Sequence, residues 1–212
     1  MKRPQANPQN FLITAALCWA GVGFVEMVLQ DIGFGAFKLV TELTAFAVLA
    51  LLFPETRHWQ RSWKKYALAM LLPVGMFFAW LWIYADPSVE EKIAWKQAGW
   101  VAVAITYLTT VVAAPLFEEK LLRGLAVPGV IGTTPVWIQR YVRAEVFGAV
   151  VISVVFGLAH PSFAFLAFLF SLALCFLSIR FKFTAVQCAC VHGLYNCAVT
   201  TWYQTFGFGS WA

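Results

Sequence analysis

Two adjacent carboxylates, Glu118 and Glu119, and one guanidinium, Arg123, stand at the end of a long apolar run. They lie within Pro115-Leu-Phe-Glu-Glu-Lys-Leu-Leu-Arg-Gly-Leu-Ala-Val127. Ionisable groups at membrane depth are costly and usually face a bundle interior, so they are functional candidates by default. On a helix Glu119 and Arg123 are four apart and can pair. Glu118 then points elsewhere and has no partner in this stretch. An unpaired acid beside a neutralised one is what a reaction centre needs.

Two further polar sites lie in apolar surroundings. His160 closes the run Val-Val-Phe156-Gly-Leu-Ala, and His192 and Asn196 share one helix face in Cys188-Ala-Cys-Val-His192-Gly-Leu-Tyr-Asn196. Taken singly, each has a structural explanation, since an intramembrane His or Asn can simply hydrogen-bond a neighbouring helix. The functional reading rests on the combination: two of the three histidines join the one unpaired intramembrane acid. Together they read as hydrolysis. Glu118 would act as general base on water, with a histidine opposite to orient that water or protonate a leaving amine. His192 and Asn196 would hold the oxyanion of a tetrahedral intermediate. Cys188 is four residues from His192, so a thiol nucleophile is a competing possibility. Cys-x-Cys-x-His does not match common zinc spacings. No cofactor is expected, and zinc on Glu118, His160 and His192 is the metal-dependent variant, although the chain has no H-E-x-x-H.

The elements that must position these groups are membrane helices. The 212 residues are 61% hydrophobic and 12% charged, against about 25% charged in soluble domains. The net charge of +5 then reflects basic cytoplasmic loops rather than nucleic-acid binding. All five cysteines lie in apolar runs, which argues against a disulfide framework. The expected fold is all-α, a polytopic bundle of about seven transmembrane helices forming one domain over 1–212, with a motif-bearing core at about 98–206. The runs fall at about 10–30, 34–53, 66–85, 98–127, 145–160, 162–179 and 184–206. The first is too long for a signal-peptide core and is read as a retained span.

With the N-terminus inside, the inner segments hold twelve of the 15 basic residues: Lys2, Arg3, Arg57, Arg61, Lys64, Lys65, Lys120, Arg123, Arg140, Arg143, Arg180 and Lys182. The outer loop has Lys92 and Lys96 beside Asp86, Glu90 and Glu91. That is a positive-inside bias. Trp59, Trp63, Trp95, Trp100, Trp137 and Trp211 read as interfacial anchors. Glu26, Lys38 and Glu42 read as a structural ion-pair group in preference to a substrate role. Segment 54–65 reads as an interfacial loop or short helix drawn to anionic lipid, with His58 exposed and unpartnered. There is no internal repeat. Counting depth along the runs puts Glu118 and His192 on the inner side and His160 roughly 24 Å away, so one shared site requires broken or oblique helices.

In this order the three sites resemble the motifs E-E-x-x-x-R, F-x-x-x-H and H-x-x-x-N of the CAAX protease and bacteriocin-processing family. These glutamic-type intramembrane proteases include the Ras-converting CAAX endopeptidase. The matching residues are Glu118-Glu119-Lys-Leu-Leu-Arg123, Phe156-Gly-Leu-Ala-His160 and His192-Gly-Leu-Tyr-Asn196. The resemblance covers roughly 110–200 and implies hydrolysis of a peptide bond in a membrane-embedded or lipid-anchored peptide or protein tail. It implies that Glu118, with His160, activates water; that His192 and Asn196 form the oxyanion site; and that Glu119 and Arg123 support the framework. A chain without long loops looks more like a bacterial member, placed in the inner membrane with a cytoplasmic N-terminus. The competing classes are a non-catalytic scaffold or immunity protein with the same fold, and a small proton-coupled transporter.

Overall fold

The computed structural model describes residues 7–31, 35–55, 58–84 and 99–206. Among the described residues each apolar run is largely helical, because backbone groups facing lipid find partners only within a helix or a closed barrel. The helices are α1 (Pro8–Asp31), α2 (Phe37–Leu52), α3 (Trp63–Tyr84), α4 (Trp100–Thr133), α5 (Val136–Gln139), α6 (Ala144–Leu158), α7 (Ala164–Arg180) and α8 (Ala185–Phe206). A single 3₁₀ turn, Pro161–Phe163, joins α6 to α7. Among the described residues there is no strand. Four helices are long and apolar enough to cross a membrane, namely α1, α3, α4 and the stretch Pro161–Arg180 that contains α7. The 15-residue α6 is apolar but shorter, and α2 and α8 fall outside that group.

The outer surface is what a lipid-immersed bundle presents. Leu17, Phe24, Leu51, Leu71 and Trp82 are exposed, and a soluble chain seldom leaves so much large apolar surface uncovered. Together these features make the chain an integral membrane protein. Inside, one core packs Phe117, Leu121, Leu125 and Phe156 between α1, α2, α4 and α6. The other packs Trp80, Phe170, Leu174 and Val191 between α3, α7 and α8.

The connections at one end are tied down by side chains. The Glu55 carboxylate accepts the Ala185 N–H at the first turn of α8, one of the donors a helix start leaves without an internal partner. Gln60 donates Nε2–H to the Phe181 carbonyl, and its own N–H goes to Gln187 Oε1. Gln187 also reaches the Tyr66 hydroxyl. Lys65 lies 5.6 Å over the Phe181 ring. These contacts bring Arg61, Lys64, Lys65, Arg180 and Lys182 to the same end of the bundle. Segment 58–62 is irregular rather than a short helix, and His58 and Trp59 are exposed. Lys120 and Arg123 differ from the expectation: both are buried inside α4 and therefore carry no loop charge. Lys120 Nζ–H instead donates to the Phe53 carbonyl that ends α2, at 2.6 Å. Lys2, Arg3, Arg57, Asp86, Glu90, Glu91, Lys92, Lys96, Trp95 and Trp211 lie outside the described residues.

Helix α4 is the element that sets the site. It runs for 34 residues, about 50 Å at the α-helical rise and well beyond a hydrocarbon thickness of about 30 Å. Two π-helical turns interrupt it, Leu108–Ala113 and Leu122–Ala126, and each precedes a proline, Pro115 and Pro128. A proline in a helix cannot donate to the carbonyl four residues back, and its ring crowds that carbonyl. A wider turn relieves the crowding, and such π turns recur at functional sites. The Ala114 N–H accordingly reaches Thr109, five residues back. This leaves the Thr110 and Val111 carbonyls without their usual α-helical donors.

Helix α8 packs on that opening. A Cβ built on Gly193 would strike the Val111 carbonyl oxygen, so only glycine permits the approach. Gly193→Ala is expected to destabilise the protein by about 1–3 kcal/mol through forced backbone displacement. A thermal unfolding midpoint in detergent that matches the parent would contradict this.

Candidate active site

Why α4 and α6 bring their polar groups to one level follows from their register. The Arg123 guanidinium lies 5.7 Å over the Phe156 ring, and nearer the α4–α6 connection Gly148 meets Ile131 and the Val127 carbonyl. The two helices therefore run antiparallel. Counting from the Val127/Gly148 contact, Glu118 is nine residues along one helix and His160 twelve along the other. The three-residue difference is only about 4–5 Å of rise. The depth count went wrong because it ended span four at 127 and set Glu118 near the boundary where α6 begins. In fact α4 continues through Thr133, and Glu118 sits well inside it.

The result is a cavity of about 280 Å³ lined by Glu118, His160, His192, Asn196, Phe156 and Thr110, among others. The structure thus brings together the four residues selected as catalytic candidates. Each is held by a distinct local device. Glu119 is fully buried, and its Oε1 receives both Arg123 Nη1–H at 3.1 Å and His192 Nδ1–H at 3.0 Å. Arg123 is itself fixed to α7, with Nη2 donating to Ser171 Oγ at 2.7 Å and to the Ser171 carbonyl at 3.0 Å. One buried chain, Ser171–Arg123–Glu119–His192, therefore links α7, α4 and α8. Ser171 was not singled out by sequence. Its only signal is a hydroxyl in the middle of a span whose other residues from Ala164 to Leu177 are apolar.

Because Glu119 takes the Nδ1 proton, His192 turns Nε2 toward the cavity, 4.0 Å from Glu118 Oε2. Phe170 packs against the His192 ring with centroids 5.2 Å apart. His160 has the matching arrangement. Its Nδ1 lies 2.8 Å from the Phe156 carbonyl, which can only accept, so Nδ1 carries the proton and Nε2 keeps a lone pair in the neutral ring. The rings of Phe156 and Phe163 flank it at 4.4 and 5.3 Å. Asn196 donates one Nδ2–H to the Thr110 carbonyl at 2.8 Å, the acceptor released by the π turn. A carboxamide has two such hydrogens, so one remains for the cavity.

Glu118 differs from its neighbour. Its side chain is 25% exposed, and apart from the long approach to His192 it is turned to open space. Cys188 does not take part, which corrects the thiol alternative. It is fully buried and its Sγ faces the Leu174 carbonyl at 3.9 Å, so a substrate in the cavity cannot reach it. Among the described residues no three His, Cys, Asp or Glu side chains are grouped so as to hold a metal ion. Glu118, His160 and His192 share a cavity wall without closing into a zinc site of that kind.

Lys38, on α2, lines the same cavity. It also lines a second one of about 240 Å³, together with Glu26, Glu42, Glu118 and His160. The Lys38–Glu42 pair expected from spacing is present at 3.8 Å. Its position beside the reactive groups was not legible, because α1 and α2 carry no motif that ties them to α4.

Residues 100–198 match the family model described as Type II CAAX prenyl endopeptidase Rce1-like. That interval contains Glu118, Glu119, Arg123, Phe156, His160, His192 and Asn196. Comparison with curated proteins and with solved structures found no match.

Proposed function

We propose, from the premise that residues 100–198 belong to the Rce1-like CAAX prenyl endopeptidases, that this protein is a glutamic-type intramembrane endopeptidase. The substrate class is a membrane-embedded or lipid-anchored peptide or protein tail. The observation that carries the reading is the division of labour between two adjacent acids. Glu119 is fully buried and its Oε1 is held by Arg123 and His192, whereas Glu118 faces a cavity shared with two imidazoles and a carboxamide.

In this mechanism Glu118 removes a proton from a water held between it and His160 Nε2. The hydroxide adds to the scissile carbonyl carbon. The resulting oxyanion is received by the free Asn196 Nδ2–H and by His192. With Nδ1–H given to Glu119, His192 donates from Nε2 only as the imidazolium. Collapse of the intermediate breaks the C–N bond, and the proton on Glu118 passes to the departing amine. The products are one new carboxylate and one amine, and the site returns to its starting state. No step passes through a metal. The basic end of the bundle, with Arg61, Lys64, Lys65, Arg180 and Lys182, is assigned to the cytoplasmic side, in a bacterial inner membrane.

The test is direct. The purified full chain in proteoliposomes is given peptides ending in a cysteine-containing tail, with and without a prenyl group, in water enriched in ¹⁸O. Hydrolysis should place one ¹⁸O in the new carboxylate, survive chelation, and survive thiol alkylation because Cys188 is buried. Loss of activity on chelation that zinc restores would establish the metal-dependent variant instead. If no peptide is cleaved, the proteolytic reading falls.

A further inference from the structure

The second cavity lies across Glu118 and His160 from the first, and nothing in the proposed mechanism uses it. Its charged wall is Glu26 from α1, Lys38 and Glu42 from α2, and Glu118 from α4. The Glu42 side chain is only 5% exposed, and its Oε2 has no hydrogen-bond partner. Glu26 Oε1 is likewise buried without one. Lys38 does not satisfy them: its side chain is 49% exposed, and Nζ stands 3.8 Å from the other Glu42 oxygen, beyond hydrogen-bonding range. Buried carboxylate oxygens are nearly always paired, so an unpaired one on a residue that lines a cavity calls for a donor.

Three carboxylates around one ammonium favour a cationic donor. These acids are not among any metal-holding group in the described residues, which points to an organic cation. A lysine ammonium or arginine guanidinium brings several donors at once on a long apolar stem. The rest of the wall suits such a stem, since Trp19, Val22, Phe117 and Leu121 are apolar.

We propose that this cavity is a specificity subsite for a lysine or arginine side chain of the substrate near the scissile bond, with Glu42 as its main contact and Glu26 as the second. This rests on the proteolytic reading above. Glu118 and His160 line both cavities, so a side chain seated here keeps its own backbone beside the attacking water.

The experiment uses peptides identical except at one position, which carries Lys, Arg or norleucine, scanned from three residues before the cleaved bond to three after. At one position Lys and Arg should exceed norleucine in kcat/KM by about tenfold or more, as one charge-assisted hydrogen bond supplies. The difference should appear mainly in KM. Glu42→Gln should bring the ratio to within about twofold, and Glu26→Gln should lower it partway. Glu42→Asp should retain part of the preference, and it also carries the test if Glu42→Gln does not purify as a monodisperse protein. A flat scan, or a basic preference unchanged in both the Glu26 and Glu42 variants, overturns the proposal. If the parent cleaves none of the peptides, proteolysis has failed but the subsite has not. Fluorescence anisotropy of the labelled Lys and norleucine peptides then decides. Tenfold tighter binding of the Lys peptide, lost in Glu42→Gln, supports the subsite, and equal binding overturns it.

Discussion

Glu118→Gln leaves the bundle folded and lowers peptide hydrolysis by about 10²–10⁴-fold, the contribution of a positioned general base. The substitution keeps the volume and removes only the ability to take a proton. The framework should not notice it, because the buried linkage runs through Glu119, which holds Arg123 and His192. Glu118 is 25% exposed, and its nearest charged approach is the 4.0 Å to His192. Retention on size-exclusion chromatography and the thermal midpoint should therefore match the parent while initial rates collapse. Glu119→Gln is the contrasting case. It leaves Arg123 without its counter-charge and gives the His192 Nδ1–H a weaker, neutral acceptor, so rate and stability should fall together. If Glu118→Gln cleaves at rates within a few-fold of the parent, Glu118 is not the base. If the parent has a cellular phenotype that Glu118→Gln preserves, the chain acts as a scaffold rather than as a protease.

The residues that meet in the cavity were legible because each carries chemistry out of place in an apolar run. A carboxylate, an imidazole or a carboxamide at membrane depth is conspicuous from spacing alone, and Glu119 with Arg123 formed the pair that a four-residue separation predicts. Ser171 escaped because a hydroxyl in a span is ordinary and its role exists only through Arg123, 48 residues earlier in the chain. Depth was misjudged for a different reason. Hydropathy marks where a run is apolar, not where a helix stops, and α4 carries its helical ladder past Pro128 by widening a turn. The other π turn, Leu108–Ala113, exposes the Thr110 carbonyl that Asn196 caps. The sequence offers Pro115 as a hint of a break, but not the direction in which the freed carbonyls point.

The buried linkage is also where the largest loss of stability is expected. Arg123 is 1% exposed, bridges Glu119 on its own helix to Ser171 on α7, and lies over Phe156 of α6. Arg123→Met removes three hydrogen bonds and leaves the Glu119 carboxylate buried with His192 as its remaining partner. Breaking one side of a buried ion pair costs about 3–5 kcal/mol, enough to lower the unfolding midpoint in detergent markedly and to reduce recovery of folded protein. Arg123→Lys should not restore it, because one ammonium cannot reproduce a planar fork that serves Glu119 and Ser171 together. The decisive comparison is the double substitution of Glu119→Gln with Arg123→Met. Removing both charges leaves neither member of this pair as an uncompensated ion, so stability should recover by a large part of the loss, with strong non-additivity between the two sites. Hydrolysis should not recover, since His192 then lacks the charged acceptor that holds its Nδ1–H. A double variant that is folded and inactive would separate the two duties of this linkage: holding three helices together, and setting which nitrogen of His192 faces the bond to be cut. Additive destabilisation would instead mean that Arg123 acts through its packing on Phe156 and its bonds to Ser171, with the charge pair contributing little.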